Sequence, residues 1–426
     1  MVVWGGSLPL GVGTPAAKTR VEQALRREPP QIDNKSNPSR PSLCRTKANG
    51  GHNTAAKNKR STPTMKKASS KPHALRIGIL GCATIARQFA RDVAPASTAR
   101  IVAVASRSAD RAAAFAAAHG IGRRHGSYEA LLEDEDVQAV YVPLPNSLHA
   151  EWAIKAAEAG KHVLCEKPLA LGLRQAEQMF DAAEHHGVML LESYPYYFQP
   201  QTREMLALLR GGAIGTVQSV QACFGFTLPS GDDNIRMQPD LGGGALLDAG
   251  SYALSLIRLA MEAAPVRVSA EASWADTGVD ISMMVTLAYA DGRRAQLSCA
   301  MDAAYHRRGT IVGDRGTIDT EFLNHTSAQA AGDRYGYLPS LLRVRRGTAN
   351  TTPFEEIRAD TGSGFRFAAE AFAKVVREQD FGAVRRAADA SLDNAATLEA
   401  MGRSARSGQA EPVPARPSLR TPIHSR

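Results

Sequence analysis

Between Leu75 and Ser193, short apolar runs alternate with longer segments whose apolar residues recur at helical spacing. The apolar runs are LRIGIL, RIVAVAS, VQAVYVPLP, HVLCEKP and VMLLES. The segments between them include ADRAAAFAAAHG, HAEWAIKAAEAG and LRQAEQMFDAAEHHG, each of which ends at a glycine, as helices commonly do. Strands that alternate with helices of roughly 10–15 residues are typical of βαβ units around a buried parallel sheet. The sequence therefore predicts an α/β domain over residues 73–193, in which Asn146 or Ser147 caps HAEWAIKAAEAG.

From about Tyr194 the pattern changes to long runs in which apolar and polar residues alternate. These runs are TVQSVQACFGF, VRVSAEASWAD, DISMMVTLAYA, RRAQLSCAMDA and TIVGDRGTIDTEF, and ADG at 290–292 is a hairpin signal. Such alternation is typical of an antiparallel sheet with one covered face. The segments ALLDAGSYALSLIRLA, FRFAAEAFAKVV and DASLDNAATLEAMGRSA have helical spacing. We therefore predict a second domain over residues 194–406, an α+β unit with an open, mostly antiparallel sheet and closing helices.

The remaining segments, 1–72 and 407–426, lack a sustained apolar period and are rich in Pro, Ser and Arg, so both are predicted to be disordered tails. The tails also carry the positive charge, because residues 1–64 alone contribute +8 to a net charge of +9. A nucleic-acid partner is therefore not expected for the folded part, although binding through residues 1–64 stays an alternative. Met65 resembles an ordinary start, so two origins of residues 1–64 stay open: a native tail or an over-extended reading frame.

Composition narrows the class of protein further. No run of about 18 apolar residues occurs, so no membrane span is predicted. The five cysteines are scattered, odd in number and without CxxC spacing, which favours a reducing compartment and a cytoplasmic protein over a disulfide framework. The eleven histidines form neither HxH nor HExxH, and no metal site is predicted.

The first predicted strand leads into a glycine-containing turn of the G-x-A-x-x-A type. Gly81 would make the tight turn, and Ala83 would allow the backbone to approach a pyrophosphate. The amides at the start of the following helix would then bind the phosphates. Two of the three usual glycines are replaced, but the motif opens the first βαβ unit, where a dinucleotide fingerprint belongs. The predicted cofactor-binding residues of this turn are Gly81, Cys82, Ala83, Thr84 and Ile85.

The choice of cofactor depends on the end of the second strand, which is Ala105-Ser106-Arg107. An acid there would bind a ribose 2′-hydroxyl, but none is present. Ser106 can donate to a 2′-phosphate, and Arg107 supplies a planar charged fork for it. We therefore expect NADP in preference to NAD, although Arg107 as an ordinary surface residue stays an alternative.

Four longer motifs resemble the Gfo/Idh/MocA oxidoreductase family, and its aldose dehydrogenase, dihydrodiol dehydrogenase and glucose-fructose oxidoreductase branch in particular. They are GILGCATIA, VASRSADRAAAFA, YVPLPNSLHAEWAIKAAEAGKHVLCEKPLA and GGGALLDAGSYALSLIR, and the likeness covers about residues 74–405. The resemblance implies an N-terminal Rossmann domain, a C-terminal open-faced sheet and an active site between them. It also implies an NADP-dependent enzyme that acts on a CH–OH group of a sugar, polyol or dihydrodiol.

The same resemblance implies roles for residues of the first domain. It places Lys167 beside the nicotinamide as a catalytic donor to the reacting hydroxyl. It also implies that the peptide bond between Lys167 and Pro168 is cis. Glu166 is implied as a residue on the cofactor side. The nicotinamide loop is implied to consist of Pro143, Pro145, Asn146 and, at the start of the next helix, His149.

A second catalytic element is predicted in DAGSY, where Asp248 and Tyr252 are spaced to share one helix face. Three glycines precede it, at 242–244, and favour close approach of the backbone to a ligand. In the mechanism that we expect, Tyr252 removes the proton of the substrate hydroxyl while hydride leaves its carbon. Lys167 favours the phenolate and stabilises the developing alkoxide, and Asp248 orients its partner or the sugar.

The substrate side is less well defined by sequence. YPYYFQPQ resembles the MYRFHPQ segment of aldose dehydrogenases, but tyrosine and glutamine replace its arginine and histidine. Tyr196 of this segment and Arg236 are predicted substrate contacts, and a surface ion pair stays an alternative for Arg236. Two other functions stay open: an NAD-dependent glycosidase of the same family, and a cofactor-binding protein without catalysis. The uncovered face of the second sheet predicts a homodimer or homotetramer.

Overall fold

A computed structural model of the chain describes residues 74–229, 234–321, 340–359 and 362–416. The tail predicted over residues 1–72 lies outside these ranges. The described residues form two sheets, one on each side of a cleft.

The first sheet has six strands, all parallel, in the order β3-β2-β1-β4-β5-β6. Its strands are β1 Leu75–Leu80, β2 Ala99–Ala105, β3 Arg123–His125, β4 Ala139–Val142, β5 His162–Glu166 and β6 Leu190–Ser193. The central strands are buried on both faces, which explains why they appear in the sequence as continuous apolar runs. The strand order runs outward in one direction from β1 to β3 and in the other direction from β4 to β6. At such a reversal point, a ligand crevice opens at the carboxyl ends of the strands. The predicted parallel sheet is confirmed.

Five helices connect these strands. They are α1 Thr84–Val93, α2 Ala109–His119, α3 Tyr128–Leu132, α4 His149–Glu158 and α5 Leu173–His185. The predicted cap of α4 is wrong, because a 3₁₀ turn at Asn146–Leu148 runs directly into the helix and no side chain caps it. Asn146 instead donates its side-chain amide to the carbonyl oxygen of Gly242, at 2.8 Å.

The second sheet has nine strands in the order β14-β13-β12-β11-β7-β10-β9-β8-β15. Its strands are β7 Val217–Thr227, β8 Arg267–Trp274, β9 Asp280–Ala288, β10 Arg294–Ala300, β11 Asp302–Gly313, β12 Gly316–Thr320, β13 Ser340–Arg346, β14 Glu355–Ala359 and β15 Glu411–Pro412. Among the described pairings, β10 and β7 run parallel and all others in this sheet run antiparallel. The prediction of a mostly antiparallel sheet is confirmed.

The helices of the second half are α6 Pro200–Arg210, α7 Ser251–Met261, α8 Gly364–Glu378 and α9 Phe381–Ser407. A π-helical turn, Leu246–Gly250, leads directly into α7. Nine of the eleven residues of α7 are buried against the second sheet, so this helix forms the centre of its covered face.

The last two helices return to the first sheet. Phe365 and Phe372 of α8 are fully buried in the core on one face of that sheet, where Phe365 meets Phe89 edge to face at 5.7 Å. Leu392 of α9 lies in the core on the opposite face. The sequence assigned both helices to the second domain only, because helical periodicity does not reveal which sheet a helix covers.

The expected disordered tail from residue 407 differs from the structure in its described part. The chain stays ordered to Arg416, because Glu411–Pro412 pairs with β8 and Val413 is buried. Arg416 also forms an ion pair with Asp393 at 3.5 Å. Residues 417–426 lie outside the described ranges.

Candidate active site

A cavity of about 670 Å³ lies between the carboxyl ends of the first sheet and the α7 side of the second. Its cofactor-side wall comes from the loops after β1, β4 and β5, and its other wall comes from the second half of the chain. The residues that line it are Ala83, Thr84, Ile85, Pro143, Leu144, Pro145, Asn146, His149, Glu166, Lys167, Phe224, Phe226, Asn234, Ile235, Arg236, Leu241, Gly242, Gly243, Gly244, Asp248, Tyr252 and Tyr305.

An ammonium group, a carboxylate and a guanidinium meet at the bottom of this cavity. The Nζ of Lys167 donates to Oδ1 of Asp248 at 2.8 Å and to its carbonyl oxygen at 2.9 Å. The Nε of Arg236 donates to the other carboxylate oxygen of Asp248, at 2.5 Å. The side chains of Lys167 and Asp248 are only 11% and 19% exposed. The peptide bond that follows Lys167 is cis. Asp248 therefore holds the lysine from the opposite side of the cleft.

The charge of Asp248 is maintained by its two cationic neighbours. Burial alone would raise the pKa of its carboxyl, but the charges and hydrogen bonds of Lys167 and Arg236 hold that pKa well below its ordinary value. The carboxylate stays ionised and serves as an anchor for both cations.

Tyr252 lies one helical turn after Asp248 and faces the same cavity. The ammonium of Lys167 lies 4.7 Å from the centroid of its ring. Tyr194 and Phe224 pack edge to face with this ring at 5.6 and 5.5 Å, and the Tyr252 side chain is 4% exposed. The phenol ring is therefore fixed by packing, with the ammonium over its face.

Glu166 closes the cofactor side of the same site. Its Oε1 accepts a hydrogen bond from the Tyr141 hydroxyl at 2.7 Å, and Tyr141 itself stacks on Phe89 with ring centroids 3.7 Å apart. Burial raises the pKa of Glu166 to about 7, although the Tyr141 hydrogen bond and the Lys167 charge act in the opposite direction. This carboxyl can therefore exchange a proton near neutral pH.

His149 begins α4 next to the proline loop, where the sequence placed it. It borders the cavity, but its side chain is fully buried, so it does not present a free edge to a cofactor. Its Nδ1 lies 2.9 Å from the carbonyl oxygen of Pro168, and its Nε2 lies 2.9 Å from that of Leu144. The imidazole thus connects the segment after Lys167 to the proline loop, and it positions both.

The three consecutive glycines are required by the packing of the protein itself. Gly242 and Gly244 have positive φ angles of 75° and 109°. A Cβ atom at Gly243 would meet the carbonyl oxygen of Arg236, and one at Gly244 would meet the carboxylate of Asp280. That carboxylate accepts from the backbone N–H of Leu246 at 2.6 Å and so fixes the turn that carries Asp248. Although all three glycines line the cavity, the expected close approach to a ligand is not needed to explain them.

The glycine turn after β1 opens a second cavity, of about 480 Å³, next to the first. Gly81 has a φ of 105°, and α1 begins with no acidic residue in its first turn, which leaves its amides suited to phosphate. Among the described residues that line this cavity, none is an acid. They are Gly81, Cys82, Ala83, Ser106, Arg107, Ser108, Arg111, Tyr128, Pro143, Leu144 and Pro145.

The sequence did not single out Arg111 and Tyr128 at this second cavity. Arg111 lies in the first turn of α2, where Ser108 caps the helix by accepting from its backbone N–H at 3.3 Å. Recognition of that cap could have placed Arg111 beside Arg107. Tyr128 is the first residue of α3 and directly follows Ser127, which caps that helix by accepting from the Ala130 backbone N–H at 3.1 Å.

Tyr196 does not reach the cavity, so its predicted substrate contact is wrong. The side chain is fully buried, and its hydroxyl forms a hydrogen bond with the Ser255 hydroxyl at 2.8 Å. Arg236 does line the cavity, where it pairs with Asp248 and lies 5.8 Å from the ring of Phe226.

Glu192 is a second buried carboxyl near the site and gives a test of stability. It accepts from the backbone N–H of Leu169 at 2.9 Å, and burial raises its pKa from 4.5 to about 7. Between pH 4.5 and about pH 7, the carboxyl of Glu192 loses its proton in the unfolded chain but keeps it in the folded chain. The free energy of unfolding therefore falls as the pH rises through this range. We expect Glu192→Gln to raise the free energy of unfolding near pH 8 by about 1–3 kcal/mol, with little change near pH 4.

Urea unfolding at both pH values would measure this difference. Glutamine keeps one acceptor oxygen for the Leu169 N–H and removes the ionisable group. The exposed Glu158→Gln is the control and should have no effect at either pH. An equal stabilisation by Glu192→Gln at both pH values would contradict the titration of Glu192.

The parallel sheet, the glycine turn and the cleft with its charged side chains define a two-domain, dinucleotide-binding oxidoreductase. The comparison with family models agrees. A model described as an oxidoreductase family with an NAD-binding Rossmann fold matches residues 75–194, and the GFO/IDH/MocA C-terminal domain matches residues 202–319. The chain belongs to the Gfo/Idh/MocA oxidoreductase family, as the sequence motifs predicted.

Curated relatives match more than half of the chain. The D-xylose 1-dehydrogenase (NADP(+)) 2 of Haloferax volcanii is 36% identical over 337 residues, which is 79% of this chain and 99% of the relative. The trans-1,2-dihydrobenzene-1,2-diol dehydrogenase of Danio rerio is 38% identical over 58% of this chain and 74% of the relative.

Solved structures show the same architecture. KijD10, a 3-ketoreductase from Actinomadura kijaniata in complex with NADP and TDP-benzene, has a TM-score of 0.69 and 32% identity, over 78% of this chain and 98% of that one. The aldose-aldose oxidoreductase from Caulobacter crescentus complexed with glycerol also has a TM-score of 0.69, at 26% identity, over 80% of this chain and all of that one. Within the described ranges, no helix has the length and apolarity to cross a bilayer.

Proposed function

We propose that this chain is an NADP-dependent oxidoreductase that transfers a hydride between the nicotinamide and a ring hydroxyl of a sugar, polyol or dihydrodiol. The observation that carries this proposal is the placement of the Lys167 ammonium 4.7 Å from the ring of Tyr252, at the bottom of the cleft between the two sheets. The relatives named above act as dehydrogenases and reductases, and two of their names specify NADP.

NADP+, when bound, supplies the hydride acceptor. Tyr252 acts as the phenolate and takes the proton of the substrate hydroxyl, while the electron pair of the carbon–hydrogen bond leaves as hydride and a carbonyl forms. The Lys167 ammonium stabilises the negative charge that develops on the substrate oxygen. Asp248 and Arg236 fix the direction of that ammonium, and His149 fixes the loop behind it. Water exclusion by Phe224 and Tyr194 around the phenol strengthens these electrostatic interactions.

The residues of the second cavity support NADP over NAD. Ser106 lines this cavity and accepts from the Ser108 backbone N–H at 3.2 Å, and its hydroxyl is a donor of the kind that a 2′-phosphate requires. Arg107 and Arg111 add positive charge, and no described lining residue opposes it. These groups suit a phosphate monoester better than a ribose diol.

Arg107→Ala should therefore raise the KM for NADP+ by about 10- to 100-fold, the range expected for the loss of one charge-assisted hydrogen bond. The KM for NAD+ should change by less than about threefold, since the ribose diol carries no charge for Arg107 to bind. Steady-state kinetics with both cofactors would measure the two values, with the exposed Arg174→Ala as control. Equal losses for both cofactors would argue against a 2′-phosphate contact.

The other proposed functions have weaker support. The relatives named above give no support to a glycosidase, and the presence of both Lys167 and Tyr252 in one cleft speaks against loss of catalysis. Binding of nucleic acid through residues 1–64 concerns a segment outside the described ranges. The decisive experiment follows nicotinamide absorbance with NADP+, then NAD+, against a panel of aldoses, polyols and dihydrodiols. Lack of turnover with every member would refute the proposed reaction.

We also propose a cytoplasmic homodimer or homotetramer. The face of the second sheet opposite α7 carries exposed side chains on adjacent strands, among them Met284 at 72% exposure. A second copy would cover this face. The four cysteines in the described ranges are free, which suits a reducing compartment.

A further inference from the structure

We propose that the outer half of the large cavity binds a flat, apolar ring of the substrate, so that the preferred substrate is a cyclic alcohol carrying a second ring rather than a free monosaccharide. This inference rests on the proposed function, because it takes Lys167 and Tyr252 as the point where the reacting hydroxyl binds.

The cavity has two chemically different halves. Around Lys167 the lining is charged and hydrogen-bonding. Beyond Tyr252 the wall of the second domain consists of Phe224, Phe226, Ile235 and Tyr305, with Arg236 at its edge. A monosaccharide can stack a C–H face on one aromatic ring, but the hydroxyl groups around its edge that point at this wall would lose hydrogen bonds to water without replacement.

Two large apolar side chains of this wall are strongly exposed to solvent. Ile235 is 46% exposed and Tyr305 is 66% exposed, and both belong to the small set of large apolar side chains with high exposure in the described ranges. Both also line this one cavity. Apolar surface grouped at a cavity mouth, and rimmed by polar residues, is typical of a binding site for an apolar group.

The ring of Tyr305 is supported although it is exposed. The guanidinium carbon of Arg307 lies 5.7 Å from the centroid of Tyr305 and 5.5 Å from that of Phe224. The two rings meet edge to face at 6.4 Å. These contacts hold the outer ring in a defined orientation, with surface available to a ligand.

Distance along this wall sets the size of the ligand. The rings of Tyr252, Phe224 and Tyr305 follow one another with centroid separations of 5.5 and 6.4 Å. A single six-membered ring whose hydroxyl meets Tyr252 would lie against Phe224. A second ring, either fused to the first or attached as an aryl or nucleobase group, would reach Tyr305.

The test measures binding to the NADPH-loaded full chain, which holds no hydride acceptor, so the alcohols bind without being oxidised. The fused-ring arm compares dissociation constants of trans-1,2-dihydrobenzene-1,2-diol and trans-1,2-dihydronaphthalene-1,2-diol, which differ by one fused ring. The nucleobase arm compares thymidine 5′-diphosphate with inorganic pyrophosphate. In at least one arm the ligand with the additional ring should bind about tenfold more tightly, and Tyr305→Ala should reduce that preference to about twofold or less.

Trp274→Ala is the matched control, because Trp274 is an exposed aromatic outside the cavity with the Arg406 guanidinium 5.4 Å from its ring. It should leave both preferences unchanged. Tyr305→Phe should keep them, since the ring remains. If neither ring-bearing ligand is preferred, or if Tyr305→Ala leaves the preference intact, the apolar subsite is refuted. Turnover on the substrate panel tests the proposed reaction separately, so the two failures can be told apart.

Discussion

Lys167→Met should lower kcat by about three orders of magnitude or more and leave the affinity for NADP+ within about threefold of its original value. Methionine fills similar space but has no charge, so the developing alkoxide loses its ammonium partner. Asp248 keeps Arg236 as its remaining counter-ion, at 2.5 Å, which limits the structural damage. Stopped-flow measurement of a single turnover, together with fluorescence titration of NADPH, would separate the chemical step from cofactor binding.

The matched control for this variant is Lys155→Met. Lys155 lies in α4 and pairs with Glu151 at the surface, at 2.6 Å, so its loss should not alter kcat or cofactor binding. Near-normal turnover of Lys167→Met would remove the basis of the proposed mechanism. A loss of NADP+ affinity equal to the loss of kcat would assign Lys167 to cofactor binding instead.

Tyr252→Phe should reduce kcat by about 100- to 10,000-fold with little change in thermal stability, because it removes the proton acceptor but keeps the ring. The packing of that ring against Tyr194 and Phe224 does not involve the hydroxyl. The KM for the cofactor should not change. Steady-state kinetics in both reaction directions and a thermal unfolding curve would provide the three measurements.

Tyr289→Phe is the control for the hydroxyl group alone. Tyr289 is a buried tyrosine of the second domain whose hydroxyl has no hydrogen-bond partner among the described residues, so its removal should not lower activity. If Tyr252→Phe retained more than about a tenth of the original kcat, a different group would have to accept the proton.

The first sheet was largely predictable because its signals are local. Each strand is a short apolar run, and each following helix carries its own periodicity and end signal, so β1 was predicted over the residues that form it, Leu75–Leu80. The glycine turn was equally local, since Gly81 has the positive φ that its motif requires. Residues adjacent in sequence determine these features, and no distant contact is needed to infer them.

The second sheet was less predictable where strands are short or charged. TIVGDRGTIDTEF appeared as one run, but a turn at Asp314-Arg315 divides it between β11 and β12. β14, Glu355–Ala359, is an edge strand with three charged residues in five, so it has no apolar alternation. β13 became a strand through pairing with β12 and β14.

In the candidate site, too, local sequence motifs predicted some features, while others depend on contacts between distant residues. Lys167, Asp248 and Tyr252 were placed together by motifs, and the structure brings their side chains into one cleft. By contrast, the aromatic wall and the capping of Asp248's turn by Asp280 arise from residues that are distant in sequence. No local pattern indicated either of them. Tyr196 was assigned through the likeness of YPYYFQPQ to an aldose dehydrogenase segment, and such a likeness does not reveal which of its tyrosines point into the core.

The return of α8 and α9 to the first sheet has a consequence for how the protein can be divided. Residues 74–193 alone would expose the apolar surfaces that Phe365, Phe372 and Leu392 cover. Such a fragment would be a poor starting point for an isolated nucleotide-binding module or for a domain exchange with another dehydrogenase. The cofactor half acquires its complete hydrophobic core only after the last helices have been synthesised.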